Sequence, residues 1–188
     1  MEREIQEIIT DSIETKQKTL KLKDIIWQSA QMLIAVLKSG HKILVCGNGG
    51  SAADAQHMAG ELVGRFERER AALPCIALTT DSSIMTAWSN DYEYASVFAR
   101  QVSAIGQAGD VLVGISTSGN SKNVICAIEE AKKRGMRSIV LTGKNGGLIK
   151  HMEDVFTIII PSNRTPRIQE VHIMIIHIWC QLIEDTLF

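Results

Sequence analysis

A chain of 188 residues, 45% apolar and 22% charged, suits one globular domain whose core needs neither disulfides nor a structural metal. Its 20 basic and 21 acidic residues leave a net charge of −1, which excludes the broad basic field that would draw nucleic acid or a membrane surface. The acidic, amphipathic start "MEREIQEIITDSIETK" is unlike a signal peptide, and no apolar run approaches the roughly 18 residues of a spanning helix, so a soluble cytoplasmic protein is expected.

Residues 2–39 read as helix, with one apolar stripe at Ile5, Ile8, Ile9 and Ile13 and another at Ile25, Ile26, Ala30, Leu33 and Leu37. "KSGHK" breaks that pattern, and short apolar runs then alternate with helical segments. "KILVCG" precedes the helix-like "SAADAQHMAGELVGRF", "CIALTT" (75–80) precedes "SSIMTAWSN", and "DVLVGIS" (110–116) precedes "SKNVICAIEEAKKRG". "SIVLTG" (138–143) and "VFTIIIP" (155–161) complete five candidate strands, and a last helix covers about 166–187. Strands that are apolar on both faces and separated by helices imply an α/β fold with a five-stranded parallel sheet covered on both sides. No repeat or linker divides the chain, so residues 1–188 are read as one domain, with N-terminal helices (1–39) and a parallel core with its terminal helix (40–188). Cys46, Cys75, Cys126 and Cys180 form no C-x-x-C pair and read as buried, reduced thiols.

In such sheets ligands bind beyond the carboxyl ends of the strands. Three strand-to-helix loops are rich in glycine or hydroxyl residues: "CGNGGSAA", "ISTSGNSKN" and "LTGKNGGL". Neither dinucleotide nor nucleoside-triphosphate cradle motifs occur in them. Ser116, Ser118 and Ser121 can surround a monoester phosphate with neutral donors at a helix start. Capping that helix is their competing role, for which one hydroxyl suffices. "LTGKNGG" reads as an ordinary turn.

His57 and Glu61, four residues apart, share one helix face. The last helix, "RIQEVHIMIIHIWCQLI", is apolar nearly all round and is expected to be buried by its own domain and by another subunit. Gln169, Glu170, His172 and His177 inside it therefore need partners. By pattern alone, either histidine reads more readily as a hydrogen-bonded core residue than as a ligand or catalyst.

"CGNGGSAADAQHMAGELVGRF", "GISTSGNS" and "RIQEVHIMIIHIWCQLIE" together resemble the sugar isomerase (SIS) domain family and, within it, the sedoheptulose 7-phosphate isomerases, over nearly the whole chain. The resemblance implies conversion of sedoheptulose 7-phosphate to D-glycero-D-manno-heptose 7-phosphate, the first step toward nucleotide-activated heptose for surface polysaccharide. It also implies a homotetramer with active sites at subunit interfaces. It assigns Ser116, Thr117, Ser118 and Ser121 to the substrate phosphate, and Asn48, Gly49, Gly50, Ser51, Asn90 and Asp91 to the sugar. Glu61 and His177 match the acid–base pair, with Glu61 and Gln169 also touching substrate. His57, Glu61, Gln169 and His177 match positions that bind one zinc ion per subunit in members of the family.

Ketose–aldose exchange moves a proton between C1 and C2 through an enediol, and a carboxylate with an imidazole suits that task. Zinc could hold the ligand pose or polarise oxygens. Gln169 and His177 are separated by about 12 Å of helical rise, so they lean together or the ligands come from different chains. Pro166 stands before Arg167 where some members carry an acidic residue, which removes any contact from that side chain. Two other members of the fold compete. The DnaA initiator-associating protein is a tetrameric protein-binding scaffold, but that branch lacks the carboxylate matching Glu61 and has Asn where His177 stands. A sugar-phosphate-sensing module of a regulator would be expected to bring a DNA-binding extension or basic stripe.

Overall fold

The computed structural model describes residues 2–188. Five strands, β1 (Ile43–Gly47), β2 (Cys75–Ala77), β3 (Val111–Ser116), β4 (Arg137–Thr142) and β5 (Val155–Ile159), form a parallel sheet in the order β2-β1-β3-β4-β5. Ile43 pairs with Cys75 on one side and Val111 on the other, so the three strands share a starting level. Among the described residues, seven helices accompany them: α1 (Glu2–Thr19), α2 (Lys23–Lys38), α3 (Gly50–Val63), α4 (Ser82–Asp91), α5 (Val97–Ile105), α6 (Lys122–Lys133) and α7 (Thr165–Leu187).

Because side chains alternate along a strand, the sheet feeds two cores. Ile43, Val45, Val113 and Leu141 meet α2, α3 and α7, where Leu33, Met58, Ile175 and Trp179 are buried. Leu44, Cys46, Leu112 and Val140 meet α5 and α6, where Phe98, Val124 and Ile128 are buried. Strands buried on both faces explain the continuous apolar runs that marked them in the sequence. Cys46, Cys75 and Cys180 are buried free thiols, as read, whereas Cys126 is half-buried.

The structure departs from the sequence reading in three places. The continuous helix over 2–39 is interrupted by a 3-10 turn at Leu20–Leu22, because its two apolar stripes lie out of phase and face different surfaces. The second strand stops at Ala77 rather than Thr80, since the chain turns into α4, where Asp81 accepts the Ile84 N–H at 2.9 Å. Helix α5 was not anticipated. Only nine residues long, it announces itself through Val97, Phe98, Gln101 and Val102, all on its buried side.

One apolar surface is left open. The Ile5, Ile8, Ile9 and Ile13 stripe of α1 is half-exposed or more, at 50–58%. A groove of about 590 Å³ between α1, α2 and the outer side of α7 is lined by Ile13, Leu20, Trp27, Met174, Ile178 and Leu182. The inner side of α7, with Ile168, Val171, Ile175, Ile176, Trp179 and Ile183, is fully buried against the sheet. Pro166 falls in the first turn of α7, where its missing N–H costs no hydrogen bond.

Candidate active site

The chain leaves β1 for β2 on one side and returns to β3 on the other, so a crevice opens between the carboxyl ends of β1 and β3. Asn48, Gly49, Gly50 and Ser51 follow β1 and start α3. Gly49 has φ 55°, and a Cβ on Gly50 would lie 2.5 Å from Gln169 Nε2, so the amide of α7 rests directly on the start of α3. Across the crevice, Ser116 Oγ and Ser121 Oγ are 2.8 Å apart, and Ser118 Oγ accepts the Asn120 N–H at 3.2 Å. Ser121 is the N-cap residue of α6, yet its side chain makes no capping bond. The capping role that competed for these serines is therefore not the one Ser121 plays. Of the first-turn N–H groups of α6, those of Lys122 and Asn123 remain available to an anion, Val124 N–H being held by Asn123 Oδ1. Thr117, half-buried, completes the loop.

The loop "TGKNGG" was expected to be an ordinary turn. Instead it buttresses the serine loop, with Ile149 N–H bonded to Gly119 O at 3.1 Å and Leu148 N–H to Asn120 Oδ1 at 2.9 Å. Gly119, at φ 66°, sits against Gly146 and Gly147 with no room for a side chain. Composition gave no sign of this pairing, because each loop reads normally by itself.

The second group of polar residues lies between α3 and α7. His57 Nε2 is 3.0 Å from Glu61 Oε1 and 3.1 Å from His177 Nε2. These three ligand-type atoms all lie within 4.8 Å of one another, with Glu61 and His177 half-buried and His57 exposed. Phe66, after α3, covers one side of the His177 ring at a centroid distance of 5.7 Å. Two imidazole nitrogens cannot face each other lone pair to lone pair, so this arrangement calls for a proton or a cation between them. Two imidazoles and a carboxylate are a donor set that suits zinc. Gln169 is not brought to this cluster within the chain. It lies against Gly50, about two helical turns along α3 from His57.

Three further residues escaped the sequence reading. Arg70, its side chain fully buried, donates to Glu61 O at 2.6 Å and Leu62 O at 2.8 Å, carbonyls in the last turn of α3. It also pairs with buried Glu184 of α7 at 2.9 Å. Glu184 accepts the N–H groups of Phe66, Glu67 and Arg68 at 3.0, 3.0 and 3.1 Å. Burial alone would raise its pKa, but those N–H groups and Arg70 outweigh burial and hold the carboxyl below its ordinary value. This joint fixes where Glu61 on α3 stands relative to His177, two turns before Glu184 on α7. Asp54, one turn before His57, has a buried Oδ2 without a partner, and burial pushes its carboxyl up to about 6, partly offset by His57.

His172 resolves as a core histidine. It is fully buried, its Nε2 lies 3.1 Å from Thr142 O, and its Nδ1 has no partner. Burial lowers its pKa to about 4, the bond to Thr142 opposing that shift. Asn90 and Asp91 end α4, exposed, with Asn90 Nδ2 bonded to Asp91 Oδ1 at 2.9 Å and neither bonded to another candidate residue.

The SIS domain family matches residues 4–143 of the chain. The phosphoheptose isomerase of a Nitratiruptor species is 58% identical over 161 residues, 86% of either chain. That of Helicobacter pylori is 53% identical, covering 95% of this chain and 90% of its own. Among solved structures, the phosphoheptose isomerase GmhA of Neisseria gonorrhoeae superposes with a TM-score of 0.93 at 46% identity, over 98% of each chain.

Proposed function

The chain belongs to the phosphoheptose isomerase family of SIS-domain proteins, and from that premise we propose that it interconverts sedoheptulose 7-phosphate and D-glycero-D-manno-heptose 7-phosphate. The observation that carries this reading is the meeting of an imidazole on α7 with a carboxylate on α3, the helix that starts at the crevice whose far wall offers neutral phosphate donors.

The substrate phosphate binds Ser116, Thr117, Ser118 and Ser121 together with the N–H groups of Lys122 and Asn123 at the start of α6, and no charged side chain is needed to hold it. Asn48, Gly49, Gly50, Ser51 and Gln169 line the sugar, with Asn90 and Asp91 as outer contacts. Glu61 removes a proton from C1 and returns it to C2. His177 gives a proton to the C2 oxygen and takes one from the C1 oxygen, so that the enediol forms and collapses without net charge. Covering of His177 by Phe66 on one side limits the water that reaches its ring. His57, Glu61 and His177 would hold a zinc ion, with Gln169 joining them either by leaving Gly50 or from another subunit of the assembly. Such an ion supplies Lewis acidity toward the sugar oxygens.

The open stripe of α1 and the groove beside α7 support a homotetramer in which these surfaces are covered by other copies, bringing sites to subunit interfaces. No helix among the described residues is long and apolar enough to cross a membrane, and the free thiols fit a reducing cytoplasm. Purified protein given sedoheptulose 7-phosphate, with aldose product followed by a coupled enzyme, tests the reading directly. Turnover is the expected result, and binding without turnover would favour a scaffold instead.

A further inference from the structure

Tyr94 opens the 3-10 turn Tyr94–Ser96 between α4 and α5, and no motif in the sequence marks it. Its hydroxyl donates to Asn48 Oδ1 at 2.8 Å. The same oxygen accepts a second bond, from Asn123 Nδ2 at 2.8 Å, while Asn48 Nδ2 donates to Asn123 Oδ1 at 2.9 Å. Asn123 is buried in the first turn of α6, and its Oδ1 also accepts the Val124 N–H at 3.0 Å. The two amides therefore form a closed pair across the β1–β3 crevice, each oxygen taking two bonds.

That pairing fixes the chemistry left over. The Val124 N–H fixes Asn123 Oδ1, so Asn123 Nδ2 faces Asn48, and a flipped Asn48 would set NH₂ against NH₂; its oxygen must therefore face Tyr94 and Asn123. One N–H of Asn48 then remains without a partner among the described residues. Tyr94 has committed its proton, so its phenol oxygen can only accept. The tyrosine is half exposed, at 50%, while its ring rests near Phe98 at a centroid distance of 6.5 Å. In a closed amide pair the spare N–H of Asn48 points away from its Oδ1 and so away from the phenol. The amide donor and the phenol acceptor therefore match two different hydroxyls of one sugar chain, one accepting and one donating.

We infer that Tyr94 is a substrate-recognition residue of the sugar subsite, accepting a hydrogen bond from one sugar hydroxyl while Asn48 donates to another. The inference rests on the placement of the sugar phosphate at the β1–β3 crevice given above. Asn123 acts through Asn48 and is a positioning residue. Tyr94 makes no bond to the serine hydroxyls or to the Glu61–His177 pair, so loss of its hydroxyl falls on sugar affinity.

The test is Tyr94→Phe, which keeps the ring and removes only the hydroxyl. Calorimetry with sedoheptulose 7-phosphate and, separately, with inorganic phosphate compares native and variant proteins. Affinity for the sugar phosphate should fall about tenfold, the loss expected for roughly one buried hydrogen bond and its partner's alignment. Affinity for inorganic phosphate and the melting temperature should stay as they were, and KM should rise with kcat changing less than about twofold. Unchanged sugar-phosphate affinity overturns the inference, as does an equal loss toward inorganic phosphate. The isomerase reading fails separately. A native protein that binds the sugar phosphate in a Tyr94-dependent way without turning it over supports this inference and sinks the reaction. A native protein that binds no sugar phosphate sinks both.

Discussion

In the loop joining β3 to α6, the polar groups are neutral hydroxyls and backbone amides held by neighbours in sequence and by one buttressing loop. In the groove between α3 and α7 they are titratable side chains brought together from distant parts of the chain. The first arrangement needs no partner for a buried charge, so it can bind an anion and release it. The second keeps a carboxylate and two imidazoles within 4.8 Å, a donor set suited to proton transfer or to a cation. Affinity and chemistry are thus separable here, one resting on loops and the other on the mutual placement of two helices.

The largest effect expected from that separation is on turnover. Glu61→Gln keeps size and hydrogen bonding but removes the base, and His177→Gln removes the titratable ring. Each should lower kcat by about 10² to 10⁴ while sugar-phosphate affinity, read by calorimetry, changes little. An affinity that collapses together with turnover would show that the two regions do not act independently.

His172 ties α7 to the sheet between the two regions, and its titration should be visible as stability. Its folded-state pKa lies at about 4 against an ordinary 6.5, so the unfolded chain takes up a proton first as the pH drops. The stability it provides is complete above pH 6.5 and is lost as the pH falls toward 4, by up to about 3 kcal/mol. Denaturant unfolding at pH 7 and pH 4.5 measures this. His172→Gln, which can still donate to Thr142 O, should flatten that part of the profile.

Zinc added to metal-free protein should raise its melting point, by the equivalent of about 2.7 kcal/mol at a hundredfold excess over Kd. The rise should vanish in His57→Ala and persist in Ser118→Ala, which sharpens the assignment of the cation to the helical groove. The smallest effect belongs to the loop. Ser118→Ala should weaken sugar-phosphate binding about fivefold, since it removes one neutral hydroxyl of several. Its kcat and fold should be preserved, and equal affinities in calorimetry would move the phosphate elsewhere.

Much of this site was legible because its local chemistry is written locally. The i, i+4 spacing of His57 and Glu61 needs only a helix to bring the side chains together, and they meet at 3.0 Å. The glycines after β1 and the serines after β3 stand at strand ends, where a parallel sheet gathers its ligand loops. Gln169 was read with the metal residues by resemblance, and within this chain it lies on Gly50 instead. The Arg70–Glu184 joint was invisible because neither residue sits in a patterned position, and their value arises only when the end of α3 meets α7. Tyr94 was missed for the same reason: its partner Asn48 lies on another strand's loop.

The sequence by itself determined the parallel α/β architecture, since apolar runs flanked by helices have few other ways to bury both faces. It also determined the neutral character of the serine loop after β3 and the pairing of His57 with Glu61, both governed by spacing of a few residues. Only the tertiary structure decided that His177 joins them while His172 becomes a core residue bonded to Thr142 O. Both histidines lie on one helix five residues apart, so helical geometry sends them to different faces, and periodicity cannot say which face meets α3 and which meets the sheet. That choice is made by the packing of α7, through Ile175, Ile176 and Trp179 in the core and the buried Arg70–Glu184 pair at its end.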